Sequence, residues 1–403
     1  MTSHKGLSFA LILTVSLPFM TMQSASAASG NNQGNTNKEK LGQLLYFDKE
    51  LSINHNQACA SCHTPPNFVD PANAANPVIS VVSAGSDPAL HGGRNAPSAA
   101  YAAFTPRFSQ DAATGLYGVG QFWDGRASTL VDQAKGPLLN PVEMGMPSKA
   151  AVLARVASET NPNNSRYRDY FRNVYGVDLE KLNKPGNRVS VDAVYDMLAD
   201  AIAAFEKTQF FSPFSSKFDY VLAGQATLTA SEANGWALFN GKAACSACHS
   251  SRSTPTPDGR VIAPLFTDFT YDNIGIPKSS HSLLVNNPVD NGLGGRADIA
   301  AADPSGQQIG KFKVMTLRNI AVTAPYGHNG FFATLEDIVH FYNTRDVAAA
   351  GWPAAEVAQN LNTRELGNLG LSASEEADLV AFLKTLTDGY GAPLSPFATS
   401  PVQ

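Results

Sequence analysis

The chain has 403 residues, of which 43% are hydrophobic, enough to bury a sizeable core and to form two or three domains of about 150 residues each. Charged residues make up only 16%, against about 25% in an average globular protein. The formal net charge is −5 and no basic run is present, so we expect no nucleic-acid partner. The 32 glycines and 25 prolines indicate many loops and argue against a coiled coil or a helical solenoid.

The first 27 residues have the pattern of an export signal. An apolar run over residues 7–20 follows a single basic residue, and small residues at 25–27 form an A-x-A cleavage site. The alternative is a membrane anchor, but the run is shorter than the roughly 20 residues needed to span a bilayer. We expect cleavage of 1–27, a disordered polar leader over 28–38, and a mature protein in the periplasm without a membrane span.

Two C-x-x-C-H motifs are the strongest signal in the chain. In this pattern the two thiols attach one c-type haem covalently and the adjacent imidazole binds its iron. A thioredoxin-like redox pair would leave both histidines unexplained, and a structural zinc site would need the four cysteines together. The motifs use every cysteine of the chain, namely Cys59 and Cys62 with His63, and Cys245 and Cys248 with His249.

Each motif follows a segment with helix-like apolar spacing, 38–47 in the first case and 231–239 in the second. Ser231 could be the N-cap of the second of these helices. A helix leading into C-x-x-C-H is the usual opening of a cytochrome c domain. The spacing therefore predicts two haem domains in tandem, with a long helix over 190–211 before the boundary and mainly loop over 250–310.

Around these motifs the chain resembles the bacterial di-haem cytochrome c peroxidases and, within that family, the MauG-like branch. The resemblance covers roughly residues 38–390 and implies a mainly α fold of two tandem cytochrome c-like haem domains with long loops. It implies a peroxidatic haem domain over 39–220 and an electron-transfer haem domain over 221–403. It depends on blocks that occur in order at 41–63, 93–98, 121–145, the second haem motif and 312–343.

The resemblance implies three catalytic residues in the N-terminal domain. Glu143 and Gln133 match the distal acid–base pair of the peroxidatic haem, where a carboxylate can move a proton between the two oxygens of peroxide. Trp123 matches a residue that lies between the two haems and passes electrons. From the residues alone, Glu143 could be a solvated carboxylate, Gln133 a surface side chain and Trp123 an ordinary core residue.

The second ligand of the C-terminal iron distinguishes the two branches of the family. Electron-accepting peroxidases have a methionine after the T-L-E segment, and this chain has Tyr342 there, as MauG-like proteins do. A phenolate is a hard anionic ligand that stabilises oxidised iron. Met315 and His340 are the alternatives. His340 lies two residues before Tyr342 and so does not occupy the position of the family's ligand.

Family members also hold one calcium ion between the haems, and the resemblance assigns its ligands to Asn95, Thr323 and Pro325. Side-chain amide and backbone carbonyl oxygens suit Ca²⁺. Some members carry a histidine in the loop before this segment that closes over the peroxidatic iron. His91 lies only four residues before Asn95, closer than we expect, so we interpret it as a surface residue.

These observations predict a periplasmic enzyme with two covalent c-type haems and one Ca²⁺. It would use hydrogen peroxide to oxidise a protein substrate or a redox partner through a high-valent two-haem state. The first alternative is an ordinary cytochrome c peroxidase that receives electrons from a small cytochrome or cupredoxin. The second is a dihaem electron-transfer cytochrome without catalysis, which would have no need of an acid–base pair.

Overall fold

A computed structural model describes residues 36–182, 184, 189–255 and 261–391 of the chain. The predicted export signal at 1–27 lies outside these residues. The described part is mainly α-helical, which confirms the predicted fold class. Its α-helices are α1 Asn37–Phe47, α2 Cys59–Cys62, α3 Pro71–Ala75, α4 Leu130–Leu139, α5 Lys149–Ala157, α6 Asn164–Tyr175, α7 Val191–Glu206, α8 Lys217–Leu222, α9 Ala230–Asn240, α10 Ala297–Ala302, α11 Leu335–Thr344 and α12 Ala373–Lys384.

Strands contribute little to the architecture. They form three two-stranded antiparallel ribbons, β1 Ser109–Gln110 with β2 Tyr117–Gly118, β3 Thr254–Pro255 with β4 Val261–Ile262, and β5 Tyr271–Asp272 with β6 Phe312–Lys313. Short 3₁₀ helices occur at Lys49–Leu51, Ala102–Phe104, Leu179–Lys181, Cys245–Ala247, Leu293–Gly295, Ile320–Val322 and Ala348–Ala350. Within the described residues, no helix is both long and apolar enough to cross a membrane.

The N-terminal half has its own hydrophobic core, whose fully buried members lie between Leu41 and Phe211. Helix α1 packs against α7, and the two backbones approach closely at Gly42. A Cβ atom at this position would clash with the carbonyl oxygen of Ala201 on α7. The approach brings the end of α1, and the haem motif that follows it, against the end of α7.

The C-terminal half repeats this arrangement around a second core, whose fully buried members lie between Phe218 and Leu386. Helix α9 precedes the second haem motif and packs against α12. Gly235 on α9 faces the carbonyl oxygen of Asp378 on α12, again without room for a Cβ atom. Each half therefore presents its haem motif from a helix crossing with glycine at the contact. The division of the chain at residue 220 stays a prediction.

Hydrogen bonds join the two halves beside ribbon β5–β6. The Lys313 backbone N–H donates to the carbonyl oxygen of Trp123 at 2.9 Å, and the Tyr271 hydroxyl donates to the carbonyl oxygen of Val119 at 2.6 Å. Nearby, the Arg94 guanidinium forms ion pairs with Asp124 and Asp290, each at 2.7 Å. These contacts hold the loop around Trp123 between the two cores.

Three sequence expectations need correction at their edges. The predicted leader over 28–38 is too long at its C-terminal end, because its last two residues already belong to α1. The side chain of Thr36 caps this helix by accepting a hydrogen bond from the backbone N–H of Glu39. The N-cap of α9 is Thr229 and not Ser231, since the Thr229 side chain accepts from Glu232 in a reciprocal capping box. The helix predicted over 190–211 ends at residue 206.

Candidate active site

The first haem motif forms one helical turn at the start of the N-terminal core. His63 caps α2, and its backbone N–H donates to the carbonyl oxygen of Cys59 at 2.9 Å. The imidazole Nδ1 lies 3.4 Å from the carbonyl oxygen of Phe68, and the Tyr46 hydroxyl donates to the His63 carbonyl at 3.0 Å. Burial lowers the pKa of His63, which favours the neutral imidazole that binds metals.

The second motif has the same local geometry although its turn is a 3₁₀ helix. The His249 backbone N–H donates to the carbonyl oxygen of Cys245 at 2.9 Å, and the His249 Nδ1 lies 3.0 Å from the carbonyl oxygen of Phe266. Burial also lowers the pKa of His249. A carbonyl that accepts from Nδ1–H leaves Nε2 as the coordinating nitrogen, which suits a haem-ligating histidine at both motifs.

A cavity of about 250 Å³ lies against the second motif. His249 and Cys248 line one part of it, Tyr342 comes from α11, and Trp123 enters from the N-terminal half. Burial, and next the charges of the two motif cysteines, raise the pKa of Tyr342. A phenolate would therefore need a cation at its oxygen, and ferric iron would be one. The residues present fit a haem held by two thioethers and a histidine.

The two alternative iron ligands occupy different places. Met315 also lines the cavity, and its backbone carbonyl interacts with the His249 imidazole. His340 is about half exposed, and its Nδ1 lies 3.0 Å from a carboxylate oxygen of Glu376. Because α11 is helical, His340 and Tyr342 point to different sides. The assignment of Tyr342 as the ligand stays a prediction.

Glu143 occupies a pocket beside the first motif. Its Oε1 accepts a hydrogen bond from the Asn140 side-chain amide at 2.8 Å, and Arg126 lines the same pocket. Burial raises the pKa of Glu143, while the Asn140 hydrogen bond and the charge of Arg126 partly offset the effect. Burial also raises the pKa values of the Cys59 and Cys62 thiols, and the charge of Glu143 adds to both. The carboxyl group is thus within electrostatic range of both cysteines of the first motif.

Gln133 is half-buried on α4, seven residues before Asn140. In a helix the positions i, i+4 and i+7 share one face, so Gln133 lies on the same face as Pro137 and Asn140. Those two residues line the Glu143 pocket, whereas Gln133 does not. Helix geometry directs Gln133 toward this side of the domain, and its catalytic role stays a prediction.

The three residues assigned to calcium come together around the cavity at the second motif. The Asn95 side-chain amide lies 2.9 Å from the carbonyl oxygen of Pro325, and Thr323 lines the same cavity. The Trp123 indole N–H donates to the backbone carbonyl of Asn95 at 2.8 Å. The amide orientation shown places nitrogen toward Pro325, and the reverse orientation would present two oxygens to a cation. Calcium binding here stays a prediction.

His91 lies in a loop that packs beside Glu143. The backbone N–H of Ser86, in the same loop, donates to the carbonyl oxygen of Glu143 at 2.6 Å. The His91 ring is half-buried, and its Nδ1 lies 3.2 Å from the neighbouring carbonyl oxygen of Gly92. The loop is therefore near the proposed peroxide pocket, while the imidazole contacts its own backbone.

The structure does not gather the four cysteines into one metal-ligand group within the described chain, in contrast to the zinc alternative. One mixed group does form there, from Cys248, Asp272 and Glu365, with their donor atoms within 4.8 Å of one another. Because Cys248 belongs to a C-x-x-C-H motif, this group is best understood as two carboxyl groups beside the second thiol of that motif.

Sequence reasoning missed two residues of the Glu143 pocket, Asn140 and Arg126. Asn140 stands three residues before Glu143, and its side-chain amide holds the carboxyl group in place. The Arg126 guanidinium packs 3.7 Å from the centre of the Phe122 ring and pairs with Asp124 at 2.9 Å. The N-x-x-E spacing was a usable signal for Asn140, whereas only the fold brings Arg126 to the pocket.

Comparison with known proteins agrees with this arrangement. Residues 36–227 match the family model of the di-haem cytochrome c peroxidases. The methylamine utilization protein MauG of Paracoccus denitrificans (strain Pd 1222) is 40% identical over 373 residues, covering 88% of this chain and 89% of that protein. This chain belongs to the di-haem cytochrome c peroxidase family.

Other relatives represent the peroxidases of the family. The cytochrome c551 peroxidase of Nitrosomonas europaea is 29% identical over 354 residues, covering 88% of this chain and 80% of that protein. The crystal structure of the diheme peroxidase BthA from Burkholderia thailandensis E264 superimposes with a TM-score of 0.73 at 32% identity, covering 88% of this chain and 87% of that one. The family thus includes both a MauG protein and peroxidases.

Proposed function

We propose that this protein is a periplasmic enzyme that uses hydrogen peroxide to oxidise a protein substrate or a redox partner. Bound at the two motifs, c-type haems would supply the iron that accepts electrons and shares two oxidising equivalents. The observation that carries the proposal is Glu143, a half-buried residue whose carboxyl group is held beside the first motif by Asn140. An electron-transfer cytochrome would have no use for such a group.

Glu143 would act as the acid–base group for peroxide. Its carboxylate would accept the proton of the peroxide oxygen nearer the iron and return it to the farther oxygen. The farther oxygen would leave as water when the O–O bond breaks, with the haem supplying the electrons. The Asn140 amide keeps one carboxylate oxygen in a fixed direction, so the other is available for the proton. Burial raises the pKa of Glu143 above its usual value, and a higher pKa makes the carboxylate a stronger base for accepting the first proton.

Trp123 would carry electrons between the two halves. Its ring lines the cavity that contains His249 and Tyr342, and its indole N–H is fixed by the backbone of Asn95. Because Trp123 belongs to the N-terminal half and lines the cavity at the second motif, its indole would connect the two proposed haem sites. A Ca²⁺ ion bound by Asn95, Thr323 and Pro325 would hold this junction rigid.

The choice between modifying a protein and reducing peroxide with a small donor depends on the C-terminal iron ligand. Tyr342 in the cavity supports the first, and Met315 as ligand would favour the second. The 40% identity to MauG of Paracoccus denitrificans also supports the first. We therefore favour oxidation of a protein substrate, with the ordinary peroxidase as the alternative.

The deciding experiment adds hydrogen peroxide to the fully oxidised protein and follows its absorption spectrum. We expect a direct reaction without prior reduction, because Tyr342 would favour oxidised iron at the second site. An ordinary peroxidase of the methionine type would need reduction of the C-terminal haem first. Absence of any reaction in either redox state would exclude peroxide chemistry and leave the electron-transfer alternative.

A further inference from the structure

Lys313 is a buried cation without an acidic neighbour. Its side chain is 7% exposed, and its ammonium donates to the carbonyl oxygen of Gly120 at 2.9 Å and to the hydroxyl of Thr105 at 3.3 Å. Among the described residues, no carboxylate lies within ion-pair distance of this ammonium. Burial by itself lowers the pKa of Lys313 to about 7.

Other buried cations of the described chain have carboxylate partners. The fully buried Arg318 guanidinium pairs with Asp219 at 2.6 Å, and the half-buried Arg94 also pairs with Asp124 and Asp290. Burying a charge costs on the order of several kcal/mol unless an opposite charge and hydrogen bonds compensate for the lost water. Two neutral acceptors satisfy two of the three ammonium protons of Lys313 and leave its charge uncompensated.

The position of Lys313 indicates where the missing negative charge comes from. Lys313 lines the same cavity as His249 and Tyr342, where the C-terminal haem is proposed to bind. Its backbone N–H donates to Trp123, and the Gly120 carbonyl that it contacts lies three residues before that tryptophan. Lys313 therefore belongs both to the wall of the proposed haem site and to the contact with the Trp123 loop.

We infer that Lys313 binds a propionate carboxylate of the haem in the C-terminal cavity. Its ammonium is thereby a positioning cation where that haem site meets the Trp123 loop. A haem carries two such carboxylates, and the described chain supplies none to this ammonium. The ion pair has a second consequence at Trp123. An uncompensated positive charge on the residue that contacts the Trp123 loop would oppose removal of an electron from the indole, and pairing with a propionate would cancel that charge.

This inference rests on the proposed function for the presence of haem, but its test needs no peroxide. The experiment measures the reduction potential of each haem by spectroelectrochemistry in the wild-type protein and in the variant Lys313→Gln. Glutamine retains a donor for the Gly120 carbonyl and removes the charge. A nearby cation stabilises reduced iron, so we expect the potential of the C-terminal haem to fall while that of the N-terminal haem stays unchanged.

Two results would overturn the inference. If neither potential changes, Lys313 has no haem carboxylate beside it. If only the N-terminal haem responds, the propionate belongs to the other site. Lys313→Arg restores the positive charge and should return the C-terminal potential close to the wild-type value.

The matched control is Lys278→Gln. Lys278 is exposed, and its ammonium likewise donates to a backbone carbonyl, that of Asn287 at 2.8 Å. We expect both potentials to stay at their wild-type values in this variant. Mass spectrometry counts the covalent haems in every sample. If Lys313→Gln loses a haem, Lys313→Arg must recover it, and failure to do so would contradict the inference. If the wild-type protein does not react with peroxide, the proposed function is refuted. The change in reduction potential would still support the role of Lys313.

Discussion

Glu143 and Glu206 both carry carboxyl groups near the first haem motif, but Glu143 is half-buried whereas Glu206 is buried. The Glu143 carboxyl group accepts a hydrogen bond from the Asn140 amide and lies near Arg126. Both the hydrogen bond and the positive charge favour the ionised form of Glu143. Glu206 is 6% exposed, its Oε2 has no hydrogen-bond partner in the described chain, and burial raises its pKa to about 8. At neutral pH we therefore expect a neutral acid at Glu206.

The first prediction concerns the proton transfer at Glu143. Glu143→Gln keeps the size of the side chain and removes its ability to accept a proton. Haem content should stay normal, while the reaction with peroxide slows by about 10²–10⁴, the usual cost of losing an acid–base group. Stopped-flow absorption measures the rate. An unchanged rate would remove Glu143 from the mechanism.

The second prediction concerns the pH dependence that Glu206 contributes to stability. Its pKa is raised in the folded protein, so between about pH 4.5 and 8 the folded state holds a proton that the unfolded state has released. Stability from this group is therefore complete below the unfolded pKa and is lost as the pH rises toward 8. The loss is about 1.4 kcal/mol per pH unit inside that window.

Glu206→Gln should abolish this dependence because glutamine stays neutral at every pH. Relative to the wild type, the variant should gain in free energy of unfolding as the pH rises from 5 to 8. Urea denaturation at several pH values measures the difference. A constant difference between the two proteins across that range would show that Glu206 is ionised in the folded state.

At the scale of the elements, each haem motif depends on a helix crossing with glycine at the contact. Gly42 brings α1 against α7, and Gly235 brings α9 against α12. Both glycines tolerate no Cβ atom, since a carbonyl oxygen of the partner helix occupies that space. A larger residue would have to push the helices apart, and the turn that presents the cysteines would move with them.

The third prediction follows from this crossing. Gly235→Ala should lower the free energy of unfolding by about 1–3 kcal/mol, the usual cost of forcing extra atoms into a packed interior. Gly136→Ala is the matched control, because a Cβ atom there would come no closer than 3.7 Å to Phe122. In the control, the better helix propensity of alanine should add about 0.5–1 kcal/mol to stability. Equal effects at both positions would contradict the crossing argument.

At the scale of the whole molecule, the two halves must act as one oxidant if the protein modifies another protein. The Trp123 loop contacts Asn95 in its own half and Lys313 in the other. Asn95 in turn lies against Pro325. These contacts join the two halves beside the second proposed haem site, and the ligand at that site decides whether oxidising equivalents can stay there.

The fourth prediction tests that ligand. Tyr342→His should retain two covalent haems and still consume peroxide, but the oxidising equivalents should no longer spread to the second haem. The reason is that a neutral imidazole stabilises oxidised iron less than a phenolate does. Absorption and electron paramagnetic resonance spectra after peroxide addition measure the loss. Met315→Leu and His340→Gln are the controls and should leave these spectra unchanged. A loss in Met315→Leu instead would identify the methionine as the ligand.

The amino-acid sequence by itself determined the chemistry that the chain can carry. Two C-x-x-C-H motifs with a preceding helix for each sufficed to predict two c-type haem domains, and these signals are local, because a turn of five residues or the apolar face of one helix contains everything needed to recognise them. The prediction of a mainly α di-haem peroxidase came from the resemblance of the ordered blocks to that family. The neighbours of Glu143 along α4, Asn140 among them, were within reach of the same reasoning.

Only the tertiary structure decided which distant groups meet. Arg126 reaches the Glu143 pocket, Lys313 lies beside the Trp123 loop, and Glu206 becomes a buried acid near Cys59. None of these three residues belongs to a sequence motif. A lysine or a glutamate is expected at the surface unless packing removes the water around it. Burial and charge compensation depend on the summed contacts of segments far apart in the chain, and a linear pattern does not contain that sum.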